Sequence, residues 1–319
     1  MNILIFYIKL ILDSYRDTKR IVQHFKLLLH NGLIIIPKLF FIRLFFSFSG
    51  IRNLIKIKIR SNYNLSDYFL SSAEVSSKDV AYDIDKKGHS EIFFLKKDLT
   101  EKITKEIFLN EEFEYKKDPG INQNQLIKLE EEDMSSYFSR LKSNNISRVT
   151  GFIDLNKESV IKDLLTSKSF LSLASNYLNT NQVSISAAFF ISNPLEISDS
   201  EKYANAQYFH WDNDFTKFLK FYIYLSDVDI ESGPHIFIPY THKKKLFQHS
   251  LCRLYSDKNI LNSYNENIKF VGRKGSAFFE DSYGLHKGET PTKNSRLLLN
   301  VHYGRNKILY SNKDIFINI

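Results

Sequence analysis

Cysteine is almost absent from this sequence: Cys252 is the single one among 319 residues. A lone thiol cannot form an intramolecular disulfide, and it cannot supply the several sulfur ligands of a zinc-finger or iron–sulfur site. Any metal site must therefore use nitrogen and oxygen ligands. Glycine and proline are also scarce, at 11 and 6 residues, which argues against long disordered linkers. The content of 43% hydrophobic and 25% charged residues is typical of a globular protein.

Excess positive charge is confined to the N-terminal segment, residues 1–60. That segment holds 11 lysines and arginines against two aspartates, whereas the rest of the chain holds 33 basic and 34 acidic residues. The net charge of +8 is therefore a property of one segment. Because no nucleic-acid-binding motif accompanies it, we expect no nucleic-acid partner.

The N-terminal segment is predicted to be helical, because charged and apolar residues recur at helical spacing in its first half. It does not resemble a membrane span: its most apolar run, residues 27–48, contains Pro37, Lys38 and Arg43, and a spanning helix needs about 20 nearly uncharged residues. It does not resemble a secretory signal either. Two interpretations stay open: the segment packs on the following domain, or it lies on an anionic membrane surface. We expect a cytoplasmic protein that is either free or peripheral at a membrane.

Residues 61–319 are predicted to form one domain with a helical first part, residues 61–182, and a β core, residues 183–305. The first part is polar and acidic, and stretches such as NKESVIKDLLTSKSFLSLASNYLN have apolar residues at helical spacing. A short strand is predicted at residues 92–95. The β core alternates short aromatic and β-branched runs with turn residues, as in QVSISAAFFIS, FLKFYIYLSDV and RLLLNVHYG. This pattern is typical of an all-β sandwich or barrel.

The stretch QYFHWDNDF contains a histidine and an aspartate at a spacing that suits a metal site. Residues two apart in a strand point to the same face, so His210 and Asp212 can share a metal ion while Trp211 points away. The spacing alone is weak, because 36 acidic residues in 319 give nine histidines about one such pair by chance. His89 and Glu91 form a second pair. An ordinary hydrogen-bonded pair of strand residues is the competing interpretation for His210.

A site with two histidines and one carboxylate needs a second histidine from another strand. The downstream candidates are His235, His242, His249, His286 and His302. His286 stands out because it precedes Arg296 by ten residues. A strand from Gly275 to His286, a turn and a returning strand from Arg296 would bring the two side chains within a few ångströms. A buried arginine needs an anionic partner, and its planar fork fits a carboxylate.

Three stretches, FHWD, FYIYLSDVDIESGPHIFIPYTHK and GLHKGETPTKNSR, together resemble the phytanoyl-CoA dioxygenase-like family of Fe(II)- and 2-oxoglutarate-dependent oxygenases. The resemblance covers residues 183–305 and extends weakly back to about residue 85. It implies a mainly β fold, a double-stranded β-helix or jelly roll, preceded by helices. It also implies that His210, Asp212 and His286 bind the metal. Arg296 would bind the distal carboxylate of 2-oxoglutarate, and Tyr222 would line the cosubstrate pocket.

The resemblance implies an enzyme that uses Fe(II), 2-oxoglutarate and O2, releases succinate and CO2, and hydroxylates a small-molecule, lipid-type or saccharide-type substrate. The chain departs from the family pattern at two turns, where Thr241 precedes His242 and Ser232 precedes Gly233. Neither turn contains a proposed ligand. Two alternatives stay open: a metal-binding or ligand-binding β-sandwich without turnover, and a protein whose N-terminal segment carries the main interaction. Asp214 is expected to be a solvated turn residue.

Overall fold

The computed structural model describes residues 52–70, 74–109, 114–116, 133–212, 217–249, 254–305 and 313–319. Within these ranges, no helix combines the length and the apolar character that crossing a membrane requires. Residues 1–51 of the N-terminal segment lie outside the described residues, and with them the predicted amphipathic helix and most of the segment, residues 1–60, predicted to contact a membrane. The helix and the membrane contact therefore stay predictions.

Helices occupy mainly the part of the described chain that precedes the β core. They are α1 (Ser77–Lys87), α2 (Lys97–Leu109), α3 (Met134–Ser143), α4 (Val160–Leu165), α5 (Lys168–Leu178), α6 (Asp199–Ala204) and α7 (Asp257–Leu261). Helix α1 begins after Ser76, whose side chain accepts a hydrogen bond from the backbone N–H of Asp79, and ends at Gly88 in the left-handed region. The stretch predicted to hold one or two helices forms α4 and α5.

The strands of the described chain are short and mostly buried. They are β1 (Phe93–Phe94), β2 (Glu114–Lys116), β3 (Arg148–Ile153), β4 (Gln182–Ser192), β5 (Phe209–His210), β6 (Phe218–Tyr224), β7 (His235–Phe237), β8 (Leu254–Tyr255), β9 (Ile268–Phe270), β10 (Ser276–Glu280), β11 (His286–Gly288), β12 (Arg296–Gly304) and β13 (Ile315–Asn318). The short strand predicted at residues 92–95 is confirmed as β1, and the region predicted to be helical also supplies β2 and β3.

The strands form two antiparallel sheets. The larger has the order β1-β10-β6-β12-β4-β3-β2, with β13 also paired to β4, and the smaller has the order β8-β5-β11-β7-β9. From β4 to β12 the chain alternates between the sheets, except that β7 is followed within its own sheet by β8 and β9. The central strands β10-β6-β12-β4 therefore face β5-β11-β7-β9. This arrangement is a double-stranded β-helix, or jelly roll, and it confirms the predicted fold class of a mainly β protein with flanking helices.

Side chains from both sheets meet between them. The ring of Phe278 on β10 stacks on Phe270 of β9 with centroids 3.8 Å apart, and the ring of Tyr222 on β6 lies 4.7 Å from that of His235 on β7. Alternate residues of β6 point the other way, and Phe221 packs 5.1 Å from Phe170 of α5. Helices therefore cover the outer face of the larger sheet. The inward face holds the polar side chains of interest.

Candidate metal centre and its surroundings

His210 and His286 are direct neighbours across two strands of the smaller sheet. His210 ends β5, His286 begins β11, and the two residues pair in antiparallel register. The strand predicted to run from Gly275 to His286 is wrong: β10 ends at Glu280, and His286 belongs to the opposite sheet. The physical reason is a tight turn at Asp281, whose carbonyl accepts a hydrogen bond from the N–H of Gly284 and whose side chain accepts one from the N–H of Tyr283.

Asp212 completes a compact group with these two histidines. One ligand atom from each of the three side chains lies within 4.8 Å of the others. His210 Nε2 is 3.9 Å from Asp212 Oδ1, and His286 Nε2 is 3.7 Å from Asp212 Oδ2. The histidine rings are buried with centroids 4.2 Å apart. The structure thus brings together the three residues that the sequence singled out, although Asp212 lies just beyond the end of β5.

Both histidines direct Nε2 toward the aspartate because Nδ1 is engaged elsewhere. Nδ1 of His210 lies 2.9 Å from the carbonyl oxygen of Tyr208, and Nδ1 of His286 lies 2.9 Å from that of Gly284. A carbonyl oxygen only accepts hydrogen bonds, so we assign the proton to Nδ1 in both rings and the lone pair to Nε2. Burial lowers the pKa of His286 to about 4, which keeps this ring neutral near pH 7. Neutral imidazoles oriented in this way can bind a metal.

Three contacts hold Asp212, one through its backbone and two through its carboxylate. The backbone N–H of Asp212 donates to the carbonyl oxygen of Ser282 at 2.8 Å, and the Ser282 hydroxyl donates to Asp212 Oδ2 at 2.9 Å. Lys220 Nζ lies 3.1 Å from the same Oδ2. Lys220 lies two positions before Tyr222 on β6, on the same face, and was not among the residues singled out from the sequence. Its signal was its charge, since a lysine on the inward face of a strand between buried aromatic residues is unusual.

Arg296 lies on the inward face at the start of β12, and its guanidinium is buried. The residue is 5% exposed, and its Nε and Nη1 have no hydrogen-bond partner among the described residues. Gly288, two positions after His286 on β11, leaves room for it: a Cβ at this glycine would lie 3.2 Å from Arg296 Nη2. Because residues two apart in a strand share a face, the guanidinium lies against the face that carries His286.

Tyr222 lies between the sheets, on the inward face of β6. It is 4% exposed and stacks on Phe278 with ring centroids 5.1 Å apart. Asn300 of β12 pairs with it in the sheet register, and the buried Oδ1 of Asn300 has no hydrogen-bond partner in the described part of the chain. Sequence reasoning missed Asn300 because one amide in a strand carries no local signal. The contact of Tyr222 with a cosubstrate stays a prediction.

Glu280 and His235 form a second buried polar pair near the three-residue group. Glu280 is fully buried, and its Oε2 lies 2.7 Å from His235 Nε2, a hydrogen-bond distance. Its Oε1 is 3.9 Å from His286 Nδ1. Burial raises the pKa of Glu280 well above its usual value and lowers that of His235 to about 3. His235 was one of the downstream candidates, and Glu280 was missed because it reads as the ordinary end of an apolar strand.

The other residues considered in the sequence lie outside the group. His89 Nδ1 contacts the carbonyl oxygen of Ser90, and Glu91 is exposed and pairs with Lys87 at 3.1 Å, so the second His-x-acid pair does not converge. Trp211 is buried, and its ring lies 5.3 Å from that of Tyr283. Asp214 lies outside the described residues.

No family model and no curated protein matches this chain. Among solved structures, it is similar to HygX from Streptomyces hygroscopicus with nickel, 2-oxoglutarate and hygromycin B bound, at 14% identity and a TM-score of 0.46, over 71% of this chain and 86% of that one. It is also similar to the non-heme α-ketoglutarate-dependent epimerase SnoN from nogalamycin biosynthesis, at 13% identity and a TM-score of 0.45, over 72% of this chain and 82% of that one. A third similar structure is EctD from S. alaskensis with 2-oxoglutarate and 5-hydroxyectoine, at 14% identity and a TM-score of 0.45, over 78% of this chain and 82% of that one. Similarity at this level does not assign an activity.

Proposed function

We propose that this protein is an Fe(II)- and 2-oxoglutarate-dependent oxygenase. The observation that carries the proposal is the combination of a convergent His210, Asp212 and His286 group with the buried guanidinium of Arg296. Two imidazole nitrogens and one carboxylate on one side of a metal are the ligand set of non-haem Fe(II) oxygenases, and they leave coordination positions open. The proposal therefore rests on donor chemistry and on an unmatched cation in the same interior.

Arg296 would bind the distal carboxylate of 2-oxoglutarate. Its Nε and Nη1 are unpartnered among the described residues, so a carboxylate can accept two hydrogen bonds from the guanidinium. Gly288 leaves space at this position, and Tyr222 and Asn300 would line the cosubstrate between Arg296 and the metal ligands. A buried cation is costly without an anion, so the bound carboxylate would stabilise Arg296 as well as the cosubstrate.

The protein side chains would bind and orient, and the bound groups would supply the redox chemistry. Fe(II) with 2-oxoglutarate and O2 supplies oxidative decarboxylation, with succinate and CO2 as products and an oxidised substrate. Lys220 and Ser282 hold the Asp212 carboxylate in place, and the carbonyl oxygens of Tyr208 and Gly284 hold the histidine rings. We propose hydroxylation of a small-molecule, lipid-type or saccharide-type substrate. A peripheral membrane contact through residues 1–60 is a further part of the proposal.

Anaerobic addition of Fe(II) and 2-oxoglutarate tests the site. We expect a visible charge-transfer band in the wild type and its loss in Asp212→Ala combined with His286→Ala. Glu91→Ala is the matched control, because it removes the acid of the non-converging His-x-acid pair and should leave the band unchanged. No band in the wild type, or an unchanged band in the double variant, would refute the proposal.

Succinate formation separates an enzyme from a binding protein. On admission of O2, an oxygenase should release succinate slowly even without its substrate. A β-sandwich that binds the metal and 2-oxoglutarate without turnover would show the band and form no succinate.

A further inference from the structure

A polar pocket lies where Lys217, the residue before β6, meets the chain before α1 and residues of α1 and α5. Its cavity volume is about 80 Å³. Its charged lining residues are Arg52, Lys56, Asp85, Lys217 and Lys243. They come from the chain before α1, from α1 itself, from the residue preceding β6 and from the loop after β7. Four separate segments of the chain thus bring four cations and one carboxylate to the wall of one pocket.

The turn after β10 connects this pocket to the metal-binding group. Asp281 accepts hydrogen bonds at 2.7 Å from Arg52 Nη2 on both carboxylate oxygens. The next residue, Ser282, holds Asp212 through its hydroxyl and its carbonyl oxygen. Lys217 lies five positions after Asp212 in the sequence. The pocket and the metal-binding group are therefore held by adjacent residues of one turn.

With Asp281 counted beside Asp85 and every lysine protonated, the four cations around the pocket exceed the carboxylates by two. Arg52 is matched by Asp281, and Lys243 Nζ is matched by Asp85 at 2.7 Å. Lys56 and Lys217 have no carboxylate within ion-pair distance among the described residues. A pocket wall with two unmatched cations favours a dianionic ligand.

Lys217 is the more informative of these two cations because it is buried. It is 5% exposed, its Nζ donates to the carbonyl oxygen of Ile55 at 3.2 Å, and it lies 4.0 Å from the centroid of the Tyr177 ring. Burial, followed by the charge of Arg52, lowers its pKa to about 7. The buried Nε of Arg52 also has no hydrogen-bond partner in the described chain. Both side chains therefore have unused capacity to bind an anion.

We propose that this pocket binds a phosphate monoester group, by which the substrate is anchored beside the metal-binding group. A phosphate monoester carries about −1.5 to −2 charges near pH 7, which matches the two unmatched lysines, and its oxygens only accept hydrogen bonds from such donors. Binding in the pocket stands on its own, whereas its use as a substrate anchor rests on the proposed oxygenase function.

Binding of inorganic phosphate to the full chain, measured by calorimetry at constant ionic strength, tests the pocket. We expect saturable binding in the wild type and a loss of about tenfold or more in Lys217→Met, because a buried charge contact is removed. Lys56→Gln, at an exposed position, should weaken binding about two- to fivefold. Lys102→Gln, an exposed lysine on α2, is the matched control and should change nothing.

Two further measurements locate the bound phosphate and its source. With Mn(II) in the His210, Asp212 and His286 group, the ³¹P signal of bound phosphate should relax faster, and Lys217→Met should remove the effect. Vesicles of phosphatidylcholine with phosphatidic acid distinguish a lipid from a soluble source: a lipid phosphate would bind the vesicles in competition with inorganic phosphate, and a soluble one would leave them unbound.

The outcomes separate this proposal from the proposed function. No saturable phosphate binding in the wild type, or binding that Lys217→Met leaves unchanged, would refute the proposal that this pocket binds phosphate. Unaltered ³¹P relaxation would overturn its role as a substrate anchor. Phosphate binding in a protein without the Fe(II) and 2-oxoglutarate band would instead refute the oxygenase and leave the pocket standing.

Discussion

Two arginines of this protein, Arg52 and Arg296, are both nearly fully buried, yet they differ in their partners. Arg52 donates to both oxygens of Asp281, which also accepts a hydrogen bond from the Tyr177 hydroxyl. Arg296 has no carboxylate at ion-pair distance among the described residues, and two of its nitrogens are unpartnered there. A buried arginine with a carboxylate partner needs no further anion, and loss of that carboxylate destabilises the fold. An unmatched one in a polar interior is explained best by an anion that binds there.

The largest expected effect is on the matched arginine. Asp281→Ala leaves Arg52 buried without its carboxylate, so the free energy of unfolding should fall by about 3 to 5 kcal/mol. Denaturant titration measures this loss. Lys162→Gln is the control, since it breaks an exposed pair with Glu158 and should cost less than about 1 kcal/mol. Equal effects of the two substitutions would mean that the buried pair is not a stabilising feature.

The second effect concerns the unmatched arginine. Arg296→Met removes a buried cation that has no protein partner, so the folded protein should be at least as stable as the wild type. The affinity for 2-oxoglutarate should fall about 100-fold or more, because the carboxylate loses its paired donors. Titration of the anaerobic charge-transfer band with 2-oxoglutarate measures the affinity. A destabilised variant with normal affinity would assign Arg296 to the fold.

A smaller effect is expected at Gly288. A Cβ there would lie 3.2 Å from Arg296 Nη2, so Gly288→Ala should displace the guanidinium by a few tenths of an ångström. We expect the affinity for 2-oxoglutarate to fall about two- to tenfold, with a change in stability below about 1 kcal/mol. Ser139→Ala, at an exposed position of α3, serves as the comparison for affinity and should leave it unchanged. Unaltered affinity in Gly288→Ala would place the cosubstrate elsewhere.

The smallest expected effect is the pH dependence that Lys217 contributes to stability. Burial lowers its folded pKa to about 7, below its unfolded value, so the unfolded state binds more protons between these two values. The wild type should therefore gain stability as pH rises from 7 to 10, relative to Lys217→Met. Thermal unfolding should show a difference of a few degrees that shrinks toward pH 10. A difference independent of pH would mean that Lys217 is not desolvated.

Much of the β core and of the metal-binding group is predictable from local sequence patterns. Alternation places Tyr222 inward on β6, and His-x-Asp spacing turns His210 and Asp212 toward one point. The pairing of His286 with His210 is not local, because the turn at Asp281 moves His286 into the opposite sheet. Contacts such as Arg52 with Asp281 join residues 229 positions apart, and no periodic pattern marks them. The role of a polar residue on an apolar strand, such as Glu280, can be assigned only when the facing sheet is known.

A crystal structure of the protein with Fe(II) and 2-oxoglutarate, prepared without O2, tests the central claim most directly. We expect one anomalous iron peak bound by His210 Nε2, an Asp212 carboxylate oxygen and His286 Nε2, with the distal carboxylate of 2-oxoglutarate at hydrogen-bond distance from Arg296. Iron bound by other residues, or a distal carboxylate away from Arg296, would contradict it.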